Sequence, residues 1–257
     1  VAGGIYAIGD SSPSTQGTTT VLNYTGTGDA LTIDASPGIT IRNLHIYGTT
    51  SATGGIKIGY TTACGSGLIE NVTVSDFLAT NAYGLAIGNA QLWNIKNSSF
   101  SHNYNGAIIG NNSLQDVTTI IFDHVVFNYN HYYGYKDTIG SLGNTFNNCV
   151  WQGNYASGFY EDDSVGTAVV PKGTKIFGGY MESNNASVAG QQLYIKGKSS
   201  TVRHLGMVIS GLTMQSGGAS MTNHLYLENT DGAIIDIDYS GLSNIFNNGG
   251  NNIGLLF

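Results

Sequence analysis

Glu161, Asp162 and Asp163 stand in a row in the stretch SGFYEDDS, Ser157 to Ser164, in a chain with only 10% charged residues. The segment GYKDT (134–138) has the same form one repeat earlier and sets Asp137 beside Glu161, where the other repeats carry Ile58, Ile87, Ile109, Ile195 and Leu227. Parallel strands lie about 4.8 Å apart, and two carboxylates at about that distance repel by roughly 3 kcal/mol at an effective dielectric near 20. Three arrangements relieve this: one acid keeps a proton, a cation such as Lys136 or bound Ca²⁺ sits nearby, or a bulge turns one side chain outward. The first is what glycoside cleavage uses. Carboxyl groups about 5 to 5.5 Å apart suit a retaining hydrolase, and about 6.5 to 9.5 Å an inverting one. Asp137 with Glu161 fits the shorter spacing as acid and nucleophile or base. Asp137 with Asp163 fits the longer, and Asp162 and Asp163 supply supporting acids. The competing reading is a solvated loop edge that happens to be acidic.

The neighbouring residues suit a sugar. Lys136, Tyr160, Tyr194 and Tyr226 are predicted to point outward from the same strands, and Tyr132, Tyr133 and Tyr135 precede them in NHYYGY. Tyrosine offers a flat apolar ring to a pyranose and a hydroxyl to hydrogen-bond it, although aromatic stacks also serve packing alone. His131, on the loop before the acid-bearing strand, has a side chain able to act as a base near neutral pH. Glu182 should stack over Gln152 and Asn128, as a polar outer face first and a sugar ligand second. His102 and Tyr129 share an outward column with Asp76.

A repeat positions these residues. IRNLHI (41–46), IENVTV (69–74), IKNSSF (95–100), FDHVVF (122–127), FNNCVW (146–151), IFGGYM (176–181) and ISGLTM (209–214) recur every 24 to 33 residues or so. Each ends on a large apolar residue. Three places earlier stands Asn43, Asn71, Asn97, His124, Asn148, Gly178 or Gly211, and Asn and Gly tolerate a left-handed backbone that bends the chain. A second short strand with period-2 alternation follows in every repeat. Asn103, Asn130, Asn154 and Asn184 form a further column whose amides can satisfy one another. Short strands without helical crossovers predict an all-β fold, a single-stranded parallel solenoid of about nine coils, as one domain over 1–257.

Composition narrows the function. A net charge of −7 without a basic cluster argues against nucleic acid and anionic membranes. No apolar run is long enough to span a bilayer. Cys64 and Cys149 are isolated, without zinc-site spacing, and are expected as free thiols. No phosphate loop, serine triad or metal cluster is legible, so no cofactor is expected unless Ca²⁺ serves a lyase. The start at Val1 and the apolar end NNIGLLF suggest a piece of a longer chain.

These repeats resemble the right-handed parallel β-helix of the pectate-lyase-like superfamily over nearly the whole chain. IFGGYMESNN and VISGLTMQSGG look most like the β-helices of bacteriophage tailspikes and capsule depolymerases. That resemblance implies an extracellular homotrimer on a virion tail that binds and hydrolyses a bacterial capsule, O-antigen or exopolysaccharide. The alternatives are a non-catalytic carbohydrate-binding solenoid and a Ca²⁺-dependent polysaccharide lyase, the latter weakened by the scarcity of Arg, which is limited to Arg42 and Arg203.

Overall fold

The computed structural model describes residues 20–110, 117–139, 141–165, 173–239 and 245–257. The chain winds into a parallel β-solenoid of about eight turns, as the repeats predict, and it is right-handed, as the resemblance implies. One sheet has nine strands stacked in chain order: Asp29–Ile33, Gly54–Ile58, Tyr83–Ile87, Asn105–Ile109, Tyr135–Asp137, Phe159–Asp162, Gly190–Lys196, Met221–Glu228 and Phe246–Gly250. A thirteen-stranded sheet holds the other strands of the repeat. Every strand pair in the two sheets is parallel.

The predicted bends are where the sequence puts them. Asn43, Asn71, Asn97, His124 and Asn148 have φ between 48° and 54°, and Gly178 and Gly211 have φ of 63° and 70°. A second left-handed column contains Asp76, His102, Tyr129, Gly153 and Ser183. His102 and Tyr129 stack there with ring centroids 5.4 Å apart.

Inside the coil the asparagines form the expected ladder. The Asn130 amide donates to Asn154 Oδ1 at 2.9 Å, and the Asn154 amide donates to Asn184 Oδ1 at 2.7 Å. The amides of Asn130, Asn154 and Asn184 also donate to the carbonyls of Phe100, Phe127 and Trp151 respectively, closing the turn before each strand. Glycine recurs at the next strand entry because the ladder and the rungs leave no room for a Cβ. One added at Gly106 would lie 2.4 Å from the Gly134 carbonyl oxygen and 2.8 Å from the Asn130 amide nitrogen.

Aliphatic columns and a run of stacked rings fill the core. Phe122 lies on Phe146 at 4.8 Å, and Tyr135 on Phe159 at 4.8 Å. Cys64 and Cys149 are free, buried thiols, as expected.

Candidate functional site

Register within the nine-stranded sheet decides which side chains face which way. Tyr135 pairs with Phe159, Lys136 with Tyr160 and Asp137 with Glu161. Because side chains alternate along a strand, Lys136, Tyr160, Tyr194 and Tyr226 form one outward column, and Ile109, Asp137, Glu161, Ile195 and Leu227 an inward one. The acids are therefore neighbours, as the repeat alignment predicts, but they face the interior. Asp137 is 0% exposed, and Glu161 and Asp163 are 1% exposed.

That interior is a polar island in an aliphatic column. Asp137 accepts hydrogen bonds from the Ile139 amide at 2.9 Å and from the Ser141 hydroxyl, and Asn144 bridges Ser141 to the Tyr135 hydroxyl. Burial and the Glu161 charge push Asp137 up to about 6, against the opposing donors. Glu161 accepts from the Thr174 hydroxyl at 3.0 Å and lies 2.9 Å from His204 Nε2. Asp163 is fixed through its backbone, its amide donating to the Lys196 carbonyl at 2.9 Å. Its carboxylate oxygens accept no hydrogen bond. Burial, then the charges of Glu161, Asp137 and Asp162, raises that carboxyl to about 10.

The outer face is aromatic with interspersed charge. Tyr133, Tyr160, Tyr194 and Tyr226 stack in succession with centroids 4.6, 4.7 and 4.7 Å apart. The Tyr160 hydroxyl donates to Asp162 at 2.9 Å, and the Tyr226 hydroxyl donates to Glu228 at 2.6 Å. Lys196, in register between those two acids, pairs with Glu228 at 3.2 Å. Burial and nearby acids raise the phenols of Tyr133, Tyr160 and Tyr194 well above the ordinary value, and Tyr226 to about 12. At neutral pH these hydroxyls are protonated donors.

Beside the ladder is a cavity of about 250 Å³ lined by Asn81, Asn105, Ile108, Ile109, Lys136 and Thr138. Lys136 Nζ lies 5.4 Å from the Tyr133 ring centroid, and no carboxylate among the described residues pairs with it. Burial lowers its pKa. The Asn105 amide donates to the Ala82 carbonyl at 3.0 Å, while its buried Oδ1 accepts nothing.

The remaining sequence candidates divide between surface and core. Tyr132 is half-buried, stacked on Tyr104 at 5.7 Å and edge-on to Tyr133 at 4.6 Å. Tyr135, expected among the sugar contacts, instead lies in the core, because the alternation that points Lys136 outward points its neighbour in. His131 is exposed and stacks on Tyr155 at 5.0 Å. Glu182 belongs to the thirteen-stranded sheet and accepts from Gln152 at 2.7 Å, forming the predicted polar row with Asn128. Sequence reasoning missed His204, Thr174, Ser141 and Asn144 in the island, and Asn81, Asn105 and Thr138 in the cavity. None of these positions carries a distinguishing pattern in the sequence.

No protein-family model and no curated protein matches the chain. Two solved structures are similar to it. The A-module of the Azotobacter vinelandii mannuronan C-5 epimerase AlgE4 superposes with a TM-score of 0.64 at 16% identity, over 84% of this chain and 64% of that one. The A-module of AlgE6, also a mannuronan C-5 epimerase of Azotobacter vinelandii, gives a TM-score of 0.54 at 17% identity, over 86% of this chain and 64% of that one. This chain thus spans somewhat less than two thirds of either module. The likeness establishes a shared β-solenoid fold.

Proposed function

We propose that the outward face of the nine-stranded sheet binds an acidic extracellular polysaccharide and acts on its uronate residues by removing the proton beside the carboxylate. The observation that carries this reading is Lys136, a half-buried ammonium without an acid partner among the described residues, in a cavity that Asn105 also lines and that adjoins a row of tyrosines. A buried charge without a partner is costly. A sugar carboxylate would supply that partner. The stacked rings continue the site along several sugars.

Ion pairing with Lys136 stabilises the negative charge that develops on the carboxylate when the C5 proton leaves. Asp162, held by the Tyr160 hydroxyl and the Ser164 amide, is the outer-face acid assigned to take that proton. The raised phenols act as donors, with Tyr160 nearest to Asp162 as the proton source. If the 4-linked oxygen departs with that proton, the result is elimination. If C5 instead takes a proton from solvent on the face opposite Asp162, and Asp162 passes the proton it removed to water, it is epimerisation.

Hydrolysis by Asp137 and Glu161 would require the coil to open and admit substrate to two acids in its interior, whereas Asp162, itself 6% exposed, lies on the outward side of its strand beside Tyr160. The epimerase likeness also favours the lyase alternative over the hydrolase. The tailspike branch, with its homotrimer, virion tail and capsule or O-antigen target, draws no support from these similar structures. A panel containing mannuronan, other polyuronates, capsule, O-antigen and neutral exopolysaccharides tests the proposal. Retention of polyuronates with altered or unsaturated uronates supports it; retention of neutral polymers alone refutes it.

A further inference from the structure

Glu161, Asp163 and His204 lie apart in sequence, yet each offers a ligand atom within 4.8 Å of the others inside the coil. All three side chains are at least nine-tenths buried. Their backbones are held independently: Glu161 pairs in register with Asp137 and Ile195, Asp163 N–H donates to Lys196, and His204 N–H donates to Asn229. Neither oxygen of Asp163 has a hydrogen-bond donor, although the carboxylate is aimed into this cluster, and His204 Nδ1 is also unpaired. Ordinary polar packing leaves few such atoms unsatisfied. We propose that Glu161, Asp163 and His204 bind one divalent first-row transition-metal ion, with zinc the best match, as an internal brace of the solenoid.

The donor set selects the metal class. One imidazole nitrogen and two carboxylate oxygens suit zinc and its neighbours, whereas Ca²⁺ and Mg²⁺ favour oxygen ligands alone. Two carboxylates balance the charge of the ion. The Thr174 hydroxyl, 3.0 Å from Glu161 and 3.3 Å from His204 Nε2, completes or orients the set. Because all three ligands are buried inside the coil, the ion would be a structural link between coils whose contributing residues are 43 positions apart. This role is separate from chemistry on the outer face.

The whole chain, produced in medium containing zinc chloride and then desalted, should carry about one zinc per chain by elemental analysis. Production with cobalt chloride should give the visible absorption of a cobalt site with nitrogen and oxygen ligands. Asp163→Asn and His204→Gln should each lose the bound metal, and Thr174→Val should weaken it by roughly 10- to 100-fold. Wild-type protein without stoichiometric zinc or cobalt would overturn the proposal, whether or not the variants fold. So would metal retained equally by Asp163→Asn and His204→Gln. A metal-free wild type matched by an Asp163→Asn variant of unchanged or higher thermal midpoint would show that the island holds a proton instead.

Discussion

Lys136 and Asp162 divide the proposed chemistry between charge neutralisation and proton transfer, and two substitutions separate those roles. Lys136→Met keeps the apolar stem but removes the ammonium, so affinity for a uronate oligosaccharide should fall by roughly 10- to 100-fold, the loss of one charge-assisted hydrogen bond. Binding of a neutral oligosaccharide should hardly change. Burial lowers the Lys136 pKa, so the ammonium is charged below that value and neutral above it. Affinity for the anionic ligand should accordingly fall as pH rises, before the ordinary lysine range is reached. A titration calorimetry series across alkaline pH, with Lys136→Met as the flat control, reads this directly. Tyr160→Phe removes the hydroxyl that donates to Asp162 while keeping the ring in the ladder. It should bind nearly as well as wild type and turn over roughly 10² to 10⁴-fold more slowly.

The strands and ladders should respond differently from the face they support. Asn154 donates to Phe127 and Asn184 and accepts from both the backbone and the amide of Asn130. Asn154→Leu leaves several buried polar groups unpaired, at about 1 to 3 kcal/mol each, so chemical denaturation should show a loss on the order of 3 kcal/mol or more. Tyr194→Ala lies outside the core and should lower sugar affinity with little change in the denaturation midpoint. Much of this layer was legible in the sequence, because backbone sterics tie residue type to position. Asn43 through Gly211 had to bend left-handed, and Asn103 through Asn184 had to stack. The inward column containing Asp137 and Glu161 was likewise predictable from period-2 alternation. What alternation alone did not reveal was the environment it assigned to them. Ile58 and Ile87 mark that column as core, so acids placed in it meet other buried residues before they meet solvent. His204 was out of reach because the short strand His204–Leu205 lies outside the two-strand repeat and meets Glu161 only through winding of the coil.

Across the whole molecule, the solenoid separates two polar systems that are adjacent in sequence. Glu161 and Asp163 turn inward to His204, while Tyr160 and Asp162 turn outward to the ladder, so one strand with its following turn serves both. The separation makes the central claim testable without disturbing the core. Incubation of mannuronan and other polyuronates in heavy water, followed by nuclear magnetic resonance of the recovered polymer, monitors the fate of the C5 proton. The account predicts deuterium at C5 or an unsaturated uronate end with wild-type protein, and neither with Asp162→Asn or Lys136→Met. Shortened chains with saturated ends and no deuterium would show hydrolysis instead and contradict it.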